Sequence, residues 1–139
     1  MIDPRYRPGR RRAPIVSLVL HWAAGVLMGI LAVALGFGLV VLLVQPGFER
    51  LGALVISTFI GWPLGAVLGV WLAASPPPRS ARALGYALLL TVLGTAGVLL
   101  PIWADIDSDV LRGVSGIAAL VLAPVFARIG VGLAGRERG

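Results

Sequence analysis

Few residues in this chain have side chains that could do chemistry. His21 is the only histidine, and an imidazole that titrates near neutrality can carry a proton, ligate a metal or bond to a quinone or lipid headgroup. Asp105, Asp107 and Asp109 alternate as D-x-D-x-D. An EF-hand starting there needs glycine at its sixth position and glutamate at its twelfth; those positions hold Val110 and Gly116, so a solvated loop with helix caps is the leading reading, ahead of a surface cation site. Thr91 and Thr95 share a helix face with Gly94, and Ser57, Thr58 and Trp62 form a second polar group. Hydroxyls in an apolar setting bond to backbone carbonyls or across helices. The chain has no cysteine, which excludes disulfides, thiolate metal sites and cysteine nucleophiles.

The segment Leu20-His21-Trp22-Ala23-Ala24-Gly25 resembles the opening of the first helix in cytochrome b561-type haem proteins. That resemblance implies an axial haem ligand at His21. A bis-histidine site needs further histidines, which this chain lacks, and Met28 lies on a similar face of the same helix, so it cannot serve as the opposite ligand. No cofactor is expected. The leading reading of His21 is an interfacial histidine that bonds to a headgroup or a neighbouring helix.

Composition defines the setting. The chain has 139 residues, 58% hydrophobic and 13% charged, with mean hydropathy +0.96; a soluble domain carries about 25% charged residues. The expectation is an integral membrane protein. The centres of its apolar segments hold no Asp, Glu, Lys, Arg or His. Burying a charge in lipid is costly, so functional polar sites there usually contain one. Its absence argues against a proton-coupled transporter and against an intramembrane hydrolase, which needs a nucleophile beside a base; the protein is expected not to be an enzyme. The net charge of +6 does not imply nucleic acid, because the arginines sit at the ends of apolar segments.

Four transmembrane helices are predicted, at about 15–44, 51–74, 81–102 and 110–133, within a membrane domain spanning 14–133. Residues 1–13 hold five arginines among prolines and glycine and read as a disordered basic cytoplasmic arm; 134–139 read as a basic tail. The apolar run after the arm is twice the length of a signal-peptide core, so the first helix is expected to stay. Thirty residues give about 45 Å against a hydrocarbon core of about 30 Å; the first turns are therefore expected in the cytoplasmic interface, where His21 and Trp22 fit. The segment Ser75-Pro76-Pro77-Pro78-Arg79-Ser80 predicts a stiff polyproline connection, with Ser80 capping the third helix. Ser108 or Asp109 is expected to cap the fourth.

Gly61, Gly65 and Gly69 recur at intervals of four and make a bare stripe on the second helix. Gly25 with Gly29, and Ser115, Ala119 and Ala123, make similar faces. In lipid such faces let helices approach backbone to backbone. Whether they meet the same chain or a foreign one is open. Pro63 and Pro124 free the carbonyls of Phe59 and Leu120.

The two termini and the middle loop hold ten of the twelve arginines, so both termini are predicted to be cytoplasmic. The expected fold is an all-α, up-down-up-down four-helix bundle in the cytoplasmic (inner) membrane of a bacterium. The expected function is that of a non-catalytic accessory subunit that packs through its small-residue faces against larger membrane subunits or copies of itself, with lipid as its other partner and no nucleic acid. Two alternatives are a homo-oligomeric channel or carrier lined by Ser57, Thr58, Trp62, Thr91 and Thr95, and a lipid- or quinone-binding module at Trp62. His21 belongs to the weaker candidates for a ligand or pore face.

Overall fold

A computed structural model describes residues 14–74, 80–104 and 107–136. The expected basic arm, the proline run 76–78, Asp105, the last three residues and the side chain of Trp103 lie outside the described residues. The elements are helices α1 (Pro14–Leu43), α2 (Phe48–Ala74), α3 (Ala81–Val98), α4 (Leu100–Trp103) and α5 (Asp109–Arg136). All but α4 are long and apolar enough to cross a membrane.

Three boundaries differ from the expected ones. Helix α2 begins at Phe48, inside the expected turn. Gly47 ahead of it adopts φ +156°, a conformation that L side chains rarely enter. Arg50, in the first turn of α2, then folds back over the end of α1. Its Nε donates to the Val44 carbonyl at 2.9 Å, and Nη2 donates to those of Val41 at 3.0 Å and Val44 at 2.7 Å. A cation therefore caps carbonyls that have no partner within their own helix.

The third helix stops at Val98 instead of running to Ile102. The Leu99 N–H still reaches the Thr95 carbonyl at 3.0 Å, but Pro101 has no N–H to continue the ladder. The single turn α4 follows, with Ile102 N–H donating to the Leu99 carbonyl at 3.0 Å. Helix α5 continues through Ala134 to Arg136, residues expected in the tail. The caps follow expectation: Ser80 Oγ accepts from Ala83 N–H at 3.3 Å and Ser108 Oγ from Leu111 N–H at 3.3 Å, which leaves Asp109 in the first turn of α5.

Small residues fill the interior. Ala66, Val70, Ala87, Ala123, Ala127 and Thr91 are fully buried, whereas Leu42, Leu43, Leu35 and Ile117 point outward. In water this distribution would be inverted; in lipid, close backbone packing and not hydrophobicity joins the helices. Along the α1–α2 seam, Gly61 faces Ala32, Gly65 faces Met28 and Gly29, and Gly69 faces Ala24 and Gly25. The paired numbers run in opposite senses, so these two helices are antiparallel. Helices α3 and α5 pair the same way, Phe126 seating on Gly94 and Ala87 on Gly130. Val67 and Val70 of α2 pack with Ala87 and Ala127 to join the two pairs.

Candidate functional site

The sequence-predicted site residues divide between two ends of the molecule. Thr95 and Trp62 line a cleft among α2, α3, α4 and α5. Its α2–α3 lobe encloses about 570 Å³ between Ile56, Phe59, Ile60, Pro63, Val92, Thr95, Ala96, Leu99 and Ile102. A second lobe of about 360 Å³ lies toward α5; it shares Phe59, Pro63, Thr95, Leu99 and Ile102, and adds Thr58, Trp62, Arg112, Gly113, Gly116, Ile117, Ala119 and Leu120. The break after Val98 brings Leu99 and Ile102 into this wall, a consequence of Pro101 that helix periodicity did not reveal. The lining is almost wholly apolar. Its informative exception is Thr95, whose Oγ1 is buried with no hydrogen-bond partner.

The other hydroxyls are accounted for differently. Ser57 Oγ and Thr58 Oγ1 both donate to the Leu54 carbonyl, at 2.9 and 3.0 Å. Ser57 lies beneath Gly36 in the α1–α2 seam, away from the cleft. Thr91 is fully buried and its Oγ1 also lacks a partner, but it sits one turn deeper than Thr95, outside the cleft lining. Ser57, Thr58, Trp62, Thr91 and Thr95 therefore do not line one passage within this chain.

The structure gives Trp62 a partner on α5. Pro124 lacks the N–H that would bond to Leu120, and the Trp62 indole Nε1–H donates to that Leu120 carbonyl at 3.0 Å. Trp22 of α1 donates to the adjacent Val121 carbonyl at 3.1 Å. The two indoles thus bond to successive carbonyls of α5 one turn before Pro124, from α2 and from α1. Gly29 makes this possible: a Cβ there would stand 3.0 Å from Trp62 Cε3. At Gly25 a Cβ would stand 2.9 Å from Pro124 Cβ. The small-residue pair of α1 is shaped to seat the tryptophan and the proline.

The packing residues behave unequally. A Cβ on Gly65 or Gly69 would collide with the Met28 and Ala24 carbonyl oxygens, whereas one on Gly61 would find its nearest neighbour at 3.4 Å. Ser115, Ala119 and Ala123 are buried along α5, and the face continues through Ala127, Gly130 and Ala134. Sequence reading missed Gly130, which departs by one residue from a strict four-residue interval although it meets the α3 backbone most closely, its Cβ position 2.6 Å from Ala87 N.

His21 lies at the opposite end from the cleft. Its ring bonds to the backbone of Ala73, in the last turn of α2, and stands within electrostatic reach of Arg128. Its Nδ1 is buried without a partner. Among the described residues, no cluster of three or more His, Cys, Asp or Glu is placed to hold a metal ion. No protein family, no curated protein and no solved structure matches this chain.

Proposed function

We propose that this protein is a non-catalytic lipid- or quinone-binding module of the bacterial cytoplasmic membrane. In this reading its long helices run up-down-up-down with both termini cytoplasmic. The cleft among α2, α3, α4 and α5 takes an amphiphile of the surrounding bilayer, with the hydrocarbon chain against Phe59, Ile60 and Ile117. One ligand oxygen accepts a hydrogen bond from Thr95 once its enclosed hydroxyl rotates toward the cleft.

The observation that carries this reading is the unpartnered Thr95 Oγ1 on the wall of the α2–α3 lobe, which is otherwise apolar. Its volume falls in the range of small-molecule pockets, about 300–1,000 Å³. An apolar wall selects hydrocarbon, and one buried hydroxyl adds a requirement for a single acceptor, such as the carbonyl of an ester or a quinone. Thr95 lies three residues from the end of α3.

The test is mass spectrometry of the protein released from native membranes. A bound amphiphile is expected on the wild type, its mass distinguishing glycerolipid from quinone. Thr95→Val, which keeps the shape and removes the hydroxyl, should weaken retention about fivefold, the worth of one hydrogen bond. Gly116→Phe should fill the cleft and abolish retention. A wild type that carries no amphiphile, or a Gly116→Phe protein that keeps it, overturns the proposal.

A second reading, packing against a partner subunit, is favoured by a different observation. The stripes at Gly25, Gly29, Gly61, Gly65 and Gly69 meet helices of this same chain, but Gly85, Gly97, Gly113 and Gly116 have nothing within 4 Å of their Cβ positions. Of these, Gly85 and Gly97 are exposed and lie outside the cleft, where they could admit a foreign helix. Stoichiometric recovery of another membrane protein, lost on Gly85→Leu or Gly97→Leu, would establish it.

A further inference from the structure

The end of the molecule opposite the cleft poses an electrostatic problem. Arg128 lies within the membrane-crossing helix α5, two turns before its end. It is half-buried, and its Nε is enclosed with no hydrogen-bond partner. The described acids, Glu49, Asp107 and Asp109, all belong to the other end, beside the start of α2 or of α5. Arg128 therefore has no carboxylate near it among the described residues. A guanidinium at this depth is expensive without an anion.

The depth can be placed from the neighbours. His21 bonds to Ala73, and α2 ends at Ala74, so His21 stands level with the last turn of α2. Arg128 is within electrostatic reach of His21. The end of α2 marks the level where a helix leaves hydrocarbon for the headgroup zone. Beside Arg128 a groove of about 190 Å³ runs along Leu18, Val19, Trp22, Pro124 and Val125. Apart from Arg128 its lining is apolar or aromatic, which suits hydrocarbon.

We infer that Arg128 and this groove bind a phospholipid of the adjacent leaflet. The phosphate lies on the Arg128 guanidinium and one acyl chain lies between α1 and α5. A phosphate oxygen matches the planar donor set of arginine. His21 is within electrostatic reach of Arg128 but is not part of the groove's lining. The site is separate from the cleft at Thr95 and does not depend on it. It places a lipid across the α1–α5 contact, which is otherwise held by the Trp22 and Gly25 contacts on α5.

The test measures thermal stability of the detergent-purified protein against added amphiphiles. Phosphatidylglycerol should raise the melting temperature saturably. Diacylglycerol with the same chains should not, and neither should inorganic phosphate. Arg128→Gln should weaken the phosphatidylglycerol effect about tenfold, the loss of one hydrogen bond to a charged group. Val19→Trp, at an exposed position on the groove's rim, should weaken it while leaving the lipid-free melting temperature unchanged. Thr95→Val should leave it intact. Equal stabilisation by diacylglycerol assigns the effect to the chains alone, and equal stabilisation by inorganic phosphate assigns it to a free anion. Either result overturns the proposal, as does an undiminished response in Val19→Trp.

Discussion

Single atoms decide the most at Trp62. Its indole N–H donates to the carbonyl that Pro124 leaves without a partner, and no other aromatic donor reaches that atom among the described residues. Trp62→Phe removes the indole N–H together with part of the ring that lies over Gly29, so the Leu120 carbonyl loses its bond. The expected cost is about 1 kcal/mol, within the range of interhelical hydrogen bonds in membranes. Pro124→Ala should remove the dependence, because an alanine N–H at 124 restores the helix's own bond to Leu120. A double-mutant cycle in a reversible unfolding assay checks this: Trp62→Phe should cost much less in the Pro124→Ala background than alone. Equal costs in both backgrounds would show that the indole contributes through its ring and not through its proton. Half of this pair was legible in the sequence, since a proline inside a helix names the carbonyl it frees. The donor was not, because it comes from a residue 58 positions away and only tertiary packing brings it there.

At the scale of helices, the seam between α1 and α2 ranks its glycines. Alanine at Gly65 or Gly69 drives a methyl group into carbonyl oxygens of α1, and backbone cannot step aside as a flexible side chain can. Each substitution should destabilise by about 1–3 kcal/mol, the usual cost of overpacking. Gly61→Ala meets only ordinary contact at 3.4 Å, and removing a glycine from a helix favours the helix by up to about 1 kcal/mol; it should be neutral or slightly stabilising. Melting temperatures of the three variants in detergent test the order, and a Gly61→Ala protein as damaged as Gly69→Ala would contradict the seam's register. Gly47→Ala acts on the hairpin by another route. Its Cβ position has open space, but φ is +156°, so the expected loss of about 1–2 kcal/mol is backbone strain alone. The four-residue interval made the stripe visible in sequence. Its unequal use was invisible, because two helices crossing at an angle touch closely over part of a stripe and then diverge. The cleft was less legible still. The Thr91–Thr95 face was apparent, yet the wall it shares with Leu99 and Ile102 exists because α3 breaks ahead of Pro101 and one more turn forms, and an apolar run reads the same whether or not it is broken.

For the whole molecule, the open matter is which end faces which side of the membrane. The first turns of α1, the last turns of α2 and the start of α3 gather at one end, where His21 meets Ala73 and Trp71 Nε1–H donates to the Ser80 carbonyl at 3.1 Å. Arg82, Arg128 and Arg136 belong to this end, while Glu49, Asp107 and Asp109 belong to the other. A potential and a translocation machinery that retain arginine on the cytoplasmic side would orient such a molecule with its termini inside. The absence of native cysteine makes the experiment direct, since each introduced cysteine is the sole thiol. Gln45, Asp107, Ala81 and Gly135 are all exposed and none belongs to a seam. Gln45→Cys and Asp107→Cys should react with a membrane-impermeant maleimide on intact cells, and Ala81→Cys and Gly135→Cys only after permeabilisation. A complete reversal of this pattern would keep the bundle and invert its orientation, moving the Arg128 lipid site to the outer leaflet. Labelling of Gln45→Cys and Asp107→Cys from opposite sides would break the up-down-up-down arrangement itself.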